Sequence, residues 1–276
     1  MPGERDHDLE ASDSEASGPG LSPEIRVGSV EDAVREVASE IEHGIHDARR
    51  EDRPFVLGVA TGATMEPLYA ELGRRHREQG LTFGRVVAFA LDEYCGLPGD
   101  HPDRMRAELG RILLDRIDLP PEQLHFPDVD GESALEERCE RFERDLRAFG
   151  GVDLWLLGVG SNGHVAFNEP GSAPDSRTRR VHLADSTRRA AASRFGGLDS
   201  VPTAAITAGL ATIRRARRLR LLASGPRKAD AVAAMARGVA DTGWPATQLL
   251  GHADLVIHAD HEAASGLTPR GASTTG

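Results

Sequence analysis

The stretch Trp155-Leu-Leu-Gly-Val-Gly-Ser-Asn-Gly-His-Val-Ala-Phe-Asn-Glu-Pro-Gly171 decides how this chain folds, because its glycines follow an apolar run and must lead either into a nucleotide-binding helix or into a catalytic turn. Gly158, Gly160 and Gly163 have the G-x-G-x-x-G spacing of a dinucleotide site. That site needs a long helix directly afterwards, whose N-terminus holds a pyrophosphate, and here Asn168-Glu169-Pro170-Gly171 stops any helix within about two turns. The segment also lies mid-chain behind several strand-like runs, whereas a dinucleotide fold usually opens with it. No NAD site is therefore expected. What remains is an imidazole, His164, and a carboxylate, Glu169, presented on a tight turn beyond a buried strand. His164 can move a proton near neutral pH, and Glu169 is close enough along the chain to accept its N–H and fix its tautomer.

Outward from this turn, apolar runs alternate with helical periodicity. Val30 to Arg49 carries apolar residues near helical spacing (Val30, Ala33, Val34, Val37, Ile41, Ile45), and the apolar run 54–60 follows it. Helical signals at 64–79, 102–117, 132–149, 186–196, 203–213 and 226–237 are interleaved with strand-like runs at 85–91, 152–158, 218–223 and 253–258. Strands that are apolar throughout, separated by amphipathic helices, predict an α/β fold: one Rossmann-like domain with a mostly parallel sheet and helices on both faces. The domain is placed at 24–262. Residues 1–23 are acidic and rich in Ser, Gly and Pro, and read as a disordered tail; 263–276 reads as a second flexible tail.

Composition narrows the partners. The chain has 276 residues, 39% of them hydrophobic and only 4% aromatic, so a sizeable core of Leu, Val, Ile and Ala is available. A net charge of −11 argues against nucleic acid, since phosphate-backbone binding needs a basic surface or stripe. The one basic cluster, Arg214-Arg215-Ala-Arg217-Arg218-Leu-Arg220, reads as a solvated helix end before a strand. Cys95 and Cys139 form no C-x-x-C pair, and no secretory signal is visible, which points to a reducing cytoplasm. No apolar stretch approaches the ~20 residues of a membrane span, so no membrane partner is expected.

In a parallel sheet, ligands bind beyond the C-terminal strand ends, so the loops after residues 60, 91, 158 and 223 are expected to converge. Thr61-Gly62-Ala63-Thr64 opens a helix with exposed N–H groups and suits a phosphate; no Lys follows the Gly, so it is not a nucleoside-triphosphate loop. Asp92 and Glu93 end an apolar strand, where desolvation raises a carboxylate toward useful base strength. Arg194 and Lys228 supply cations for a phosphomonoester. No second His or Cys stands at ligand spacing, which argues against zinc, and no cofactor is called for.

These residues resemble those of the glucosamine-6-phosphate deaminases. The likeness runs over about 25–260 and rests on Thr61-Gly62-Ala63-Thr64, on Leu91-Asp92-Glu93-Tyr94 with Gly96-Leu97 and His101-Pro102, and on Gly158 to Gly171. Ser176-Arg177-Thr178-Arg179, Ser193-Arg194-Phe195 and Lys228 follow in order. The related 6-phosphogluconolactonases lack the Phe-Asn-Glu-Pro continuation and carry Asp-Glu-Arg where Asp92-Glu93-Tyr94 stands. The resemblance implies a metal-independent enzyme acting on an amino-sugar phosphate. In that reading Asp92 is the base at C2, and His164, held by Asn162 and Glu169, opens the sugar ring. Thr61, Gly62, Ala63, Thr64, Arg194 and Lys228 hold the phosphate, and the protein is a homo-oligomer. Asn162 stands where many members have Asp, Ala63 and Met65 replace a common Gly and Pro, and Arg104-Met105 replaces a usual Ser-Tyr pair. Val181 stands where the allosteric branch has Lys, so activation by N-acetylglucosamine 6-phosphate is not expected. The alternatives are another hexose phosphate such as galactosamine 6-phosphate, a lactonase, and a non-enzymatic phosphosugar sensor; the last needs a DNA-reading module that residues 1–23 do not resemble.

Overall fold

The computed structural model describes residues 23–131 and 134–267. Seven strands form one wholly parallel sheet: β1 (Glu24–Val27), β2 (Phe55–Val59), β3 (Val86–Ala90), β5 (Leu124–His125), β6 (Leu154–Gly158), β9 (Leu219–Ala223) and β10 (Leu255–Ala259), in the order β1-β10-β9-β6-β2-β3-β5. Every residue of β2, β3, β9 and β10 is buried, so both sheet faces are covered, as the near-continuous apolar runs require. The helices are α1 (Val30–Arg50), α2 (Glu66–Gln79), α3 (Met105–Ile112), α4 (Leu135–Ala148), α5 (Asp185–Ala191), α6 (Leu210–Ile213) and α7 (Ala229–Ala236). In α1 the buried stripe Val34, Val37, Ala38, Ile41, Ile45 and Ala48 follows helical spacing. Ser29 caps the N-terminus by accepting the Asp32 N–H at 3.0 Å.

A second sheet was not foreseen. The strands β4 (Asp92–Tyr94), β8 (Ala204–Thr207) and β7 (Arg179–His182) pair antiparallel in the order β4-β8-β7. One residue, Leu91, separates β3 from β4, so the chain passes directly from the core sheet into the small one. The helix expected at 203–213 is corrected to strand β8 followed by the single turn of α6. The Ala-rich composition favours helix locally, but pairing on both edges of β8 overrides that preference. The helix expected at 186–196 ends at Ala191, and that expected at 102–117 is α3 followed by a 3-10 turn at Leu114–Arg116.

Two further expectations change. Arg220 is not solvated. It is 6% exposed on β9, where Glu40 takes its Nε and Nη2, both at 2.6 Å, and Asp254 Oδ1 lies 2.8 Å from Nη1. Residue 263 does not begin a tail, because Ala263 is fully buried and Leu267 packs on the core. The other parts of the expected tails, 1–22 and 268–276, lie outside the described residues.

The junction between the sheets is fixed by Glu93, which is 2% exposed. Its carboxylate accepts the N–H groups of Tyr94 (2.8 Å), Met105 (3.0 Å) and Arg106 (3.1 Å), so it satisfies the first free donors of α3 from outside the helix. Arg104, also buried, adds its guanidinium at 3.6 Å and reaches Asp130 at 2.6 Å. Glu93→Ala should strand these donors and the Arg104 charge, lowering stability by about 3 kcal/mol or more in urea unfolding. A loss below about 1 kcal/mol would show that water replaces the carboxylate without difficulty.

Candidate active site

The loop between β6 and β7 is tied to the second sheet by backbone-directed bonds. The Phe167 N–H donates to Thr207 Oγ1 at 3.1 Å, and the Asn168 side chain, fully buried, donates to the carbonyls of Ala208 (2.8 Å) and Val165 (3.0 Å). Arg179 of β7 donates to Asn168 Oδ1 at 2.9 Å. These bonds hold Ala166 at φ 51°, a left-handed conformation that costs a non-glycine residue roughly 1 kcal/mol. In the sheet register Asp92 faces Thr207, so the loop carrying His164 is fastened to the residue opposite Asp92. The His164 ring occupies the space beside Gly160 that a side chain would fill. A Cβ there would sit 2.1 Å from the ring, and so the second glycine of the motif is needed for the imidazole and not for a pyrophosphate.

His164 reaches Glu169 through Asn162. The Asn162 amide donates to Glu169 Oε2 at 3.0 Å, which orients its oxygen toward the ring, and His164 Nδ1 lies 2.7 Å from Asn162 Oδ1. An oxygen can only accept here, so Nδ1 carries the proton and Nε2 is the free acceptor of the neutral ring. Glu169 Oε2 is 3.7 Å from Nδ1, behind the amide. The expected direct acceptance by Glu169 is therefore corrected to acceptance by Asn162, with the carboxylate one step removed. Burial pushes the His164 pKa down; Glu169 opposes this and the Lys228 charge adds to it. His164 is accordingly neutral at pH 7, and Lys228 lies near enough to be felt.

Asp92 has the opposite perturbation. It is 9% exposed, and burial first, then the carboxylates of Glu93 and Glu108, pushes its pKa up to about 8. A base and a neutral imidazole in contrasting environments suit two separate proton transfers.

Of the four loops expected to converge, the turns after β2 and β9 touch directly. Thr64 Oγ1 is 3.4 Å from Ser224 Oγ, joining the turns after β2 and β9, and Thr61 Oγ1 contacts Met105 Sδ at 3.1 Å. Gly62 and Ala63 are exposed before the N-terminus of α2. Lys228 has no carboxylate partner among the described residues, and burial, then Arg227, lowers its pKa. Arg194 meets the turn through a residue that the sequence reading missed. Glu108 accepts the Gly62 N–H at 2.9 Å with one carboxylate oxygen and pairs with Arg194 through the other. A signal was present: with Met105, Leu109 and Ile112, Glu108 occupies the buried stripe of α3, an acidic residue in an apolar slot. Among the described residues no group of three or more His, Cys, Asp and Glu side chains could hold a metal, and no helix is long and apolar enough to cross a membrane.

The sequence profile of the glucosamine-6-phosphate isomerases/6-phosphogluconolactonase family matches residues 28–257. The chain belongs to this family. Among similar members, glucosamine-6-phosphate deaminase 1 of Giardia intestinalis is 44% identical over 243 residues, covering 87% of this chain and 89% of that one. The glucosamine-6-phosphate deaminase of Beutenbergia cavernae is 45% identical over 219 residues, covering 79% and 83%. A solved structure of a monomeric glucosamine-6-phosphate deaminase matches with TM-score 0.84 and 36% identity, over 88% of this chain and 100% of that chain. The 6-phosphogluconolactonase of Trypanosoma cruzi, at 22% identity and TM-score 0.71 over 92% and 100%, shares the fold. In this family member the small antiparallel sheet sets Asp92 opposite Thr207, and Thr207 in turn accepts a bond from the loop that carries His164.

The Asp92 perturbation has a sign for stability. The unfolded carboxyl ionises near 3.8 and the folded one near 8, so between these pH values folding takes up a proton and each upward step of pH removes stability. Asp92→Asn should therefore melt above wild type, by a margin that grows from pH 4 to pH 8 and then levels. A margin independent of pH, read by thermal melts in matched buffers, would show that Asp92 is not held neutral.

Proposed function

We propose that this protein converts glucosamine 6-phosphate and water to fructose 6-phosphate and ammonia. The observation that carries the reading is a buried carboxylate, Asp92, on a strand whose register partner Thr207 also fastens the loop of a neutral imidazole, His164, protonated at Nδ1. Support also comes from the named activity of relatives at 44% and 45% identity.

The turn at Thr61, Gly62, Ala63 and Thr64, with Arg194 and Lys228, holds the phosphate and so sets the distance to the sugar carbons. His164 Nε2 takes the C1 hydroxyl proton and delivers it to the ring oxygen, which opens the pyranose to the aldehyde. Asn162 keeps Nδ1 protonated during this step, and Glu169 sustains the amide's orientation. Asp92 then removes the proton from C2 while the substrate's C2 ammonium passes one of its protons to the C1 oxygen, giving a neutral enolamine, and Asp92 returns its proton to C1. The resulting C2 iminium adds water and expels ammonia, leaving the ketone. Each proton has a donor and an acceptor, and neither metal nor redox partner enters. The homo-oligomer expected from the family is a separate property, since a similar solved enzyme is monomeric by its own description.

A coupled assay for ammonia and fructose 6-phosphate on a panel of amino-sugar phosphates tests the reading. Glucosamine 6-phosphate should be turned over best, with kcat/KM rising with pH through about 8 as Asp92 ionises. Asp92→Asn should lose about 10³-fold in kcat. Activity within a few-fold of wild type in that variant would remove Asp92 from its role, and a faster reaction of the galactosamine epimer would reassign the substrate.

A further inference from the structure

The two groups that the proposed function gives to the substrate phosphate are already joined by an anion of the protein's own. Glu108 accepts the Gly62 N–H at 2.9 Å and pairs through its other oxygen with Arg194 Nη1. Its side chain is only 9% exposed, so it is a fixed part of the site and not a surface charge that happens to swing by. A carboxylate spanning a turn N–H and a guanidinium uses the same donors that a phosphate monoester needs.

We infer that Glu108 is a built-in competitor for the phosphate position, displaced from Gly62 and Arg194 when a phosphosugar binds, and that it thereby sets the affinity of the site. The inference rests on the proposed function. The Gly62 N–H carries one hydrogen and cannot serve Glu108 and a phosphate oxygen equally well. A phosphate arriving beside an unmoved Glu108 would also add its charge to a site where Glu108, Glu93 and Asp92 already repel one another. Arg194 does not depend on Glu108 for its place. Asp103 takes its Nε at 3.0 Å through the carboxylate and its Nη2 at 2.6 Å through the backbone carbonyl. When Glu108 leaves, the guanidinium therefore stays where a phosphate would meet it. Lys228, with no carboxylate partner among the described residues, is the one cation of the set that Glu108 does not engage.

The test uses the whole protein with inorganic phosphate as probe, measured by titration calorimetry and as a competitive inhibitor, beside KM and kcat for glucosamine 6-phosphate at pH 9. Glu108→Gln and Glu108→Ala are compared with wild type after circular dichroism and thermal melts confirm folding. Removing the competitor should tighten phosphate binding and lower KM by about tenfold, the equivalent of one charge-assisted hydrogen bond released, while kcat changes less than KM. A residue that only braces the loop would give the opposite split, with weaker phosphate binding and a raised KM. If both variants bind phosphate no better than wild type while wild-type turnover is intact, Glu108 is a brace and the inference is overturned. If phosphate binds none of the three proteins and no amino-sugar phosphate is turned over, the inference falls together with the functional reading beneath it.

Discussion

The hydrogen bonds from the Phe167 N–H to Thr207 and from the Asn168 amide to Ala208 are what the rest of the site depends on. They join a loop that belongs to the parallel sheet, through β6, to a strand of the small antiparallel sheet. They tie the loop of His164 to the strand that pairs with Asp92. The Asn168 side chain is fully buried, so its bonds exchange with no water, and removing one partner would leave orphaned carbonyls in the interior. The left-handed Ala166 shows that the attachment is strong enough to hold unfavourable backbone.

Around that attachment the protein accepts an unusual charge arrangement. Three carboxylates, Asp92, Glu93 and Glu108, lie under one site, and each is managed differently. Glu93 is satisfied by three N–H groups and the Arg104 guanidinium, Glu108 by Gly62 and Arg194, and Asp92 is left to hold a proton. After burial, the nearby Glu93 and Glu108 carboxylates are what raise Asp92 toward a base near neutral pH. The same logic explains the imidazole: Asn162 supplies an oxygen in place of a carboxylate against Nδ1, so burial and the Lys228 charge keep the ring neutral despite Glu169 behind the amide. The site therefore trades stability of its ionised forms for reactivity.

The parallel sheet was legible because β2 and β3 carry no polar side chain, and β9 and β10 carry one each, Arg220 and His258, in otherwise apolar runs that are buried throughout. The small sheet was not. β7 reads Arg-Arg-Val-His, β4 reads Asp-Glu-Tyr, and β8 opens on two alanines that favour helix and is only four residues long, so no periodic pattern marks these strands, which depend on pairing with one another. The same division holds in the site. His164, Glu169, Asp92, Arg194 and Lys228 are residue types whose possible chemistry can be read from the local sequence. Glu108 and Thr207 act through partners 46 and 40 positions away in the chain, and Arg220 finds Glu40 at a separation of 180; a local pattern cannot state such contacts.

The central claim is that one shielded carboxylate carries a proton from C2 to C1 of an amino-sugar phosphate. Turnover of glucosamine 6-phosphate deuterated at C2, followed by NMR of the fructose 6-phosphate formed, tests it most directly. With Asp92 buried as it is, part of the label should appear on a single face of C1, and the C–D bond should slow the reaction. A product with no deuterium at C1, formed at a rate indifferent to the label, would contradict the account.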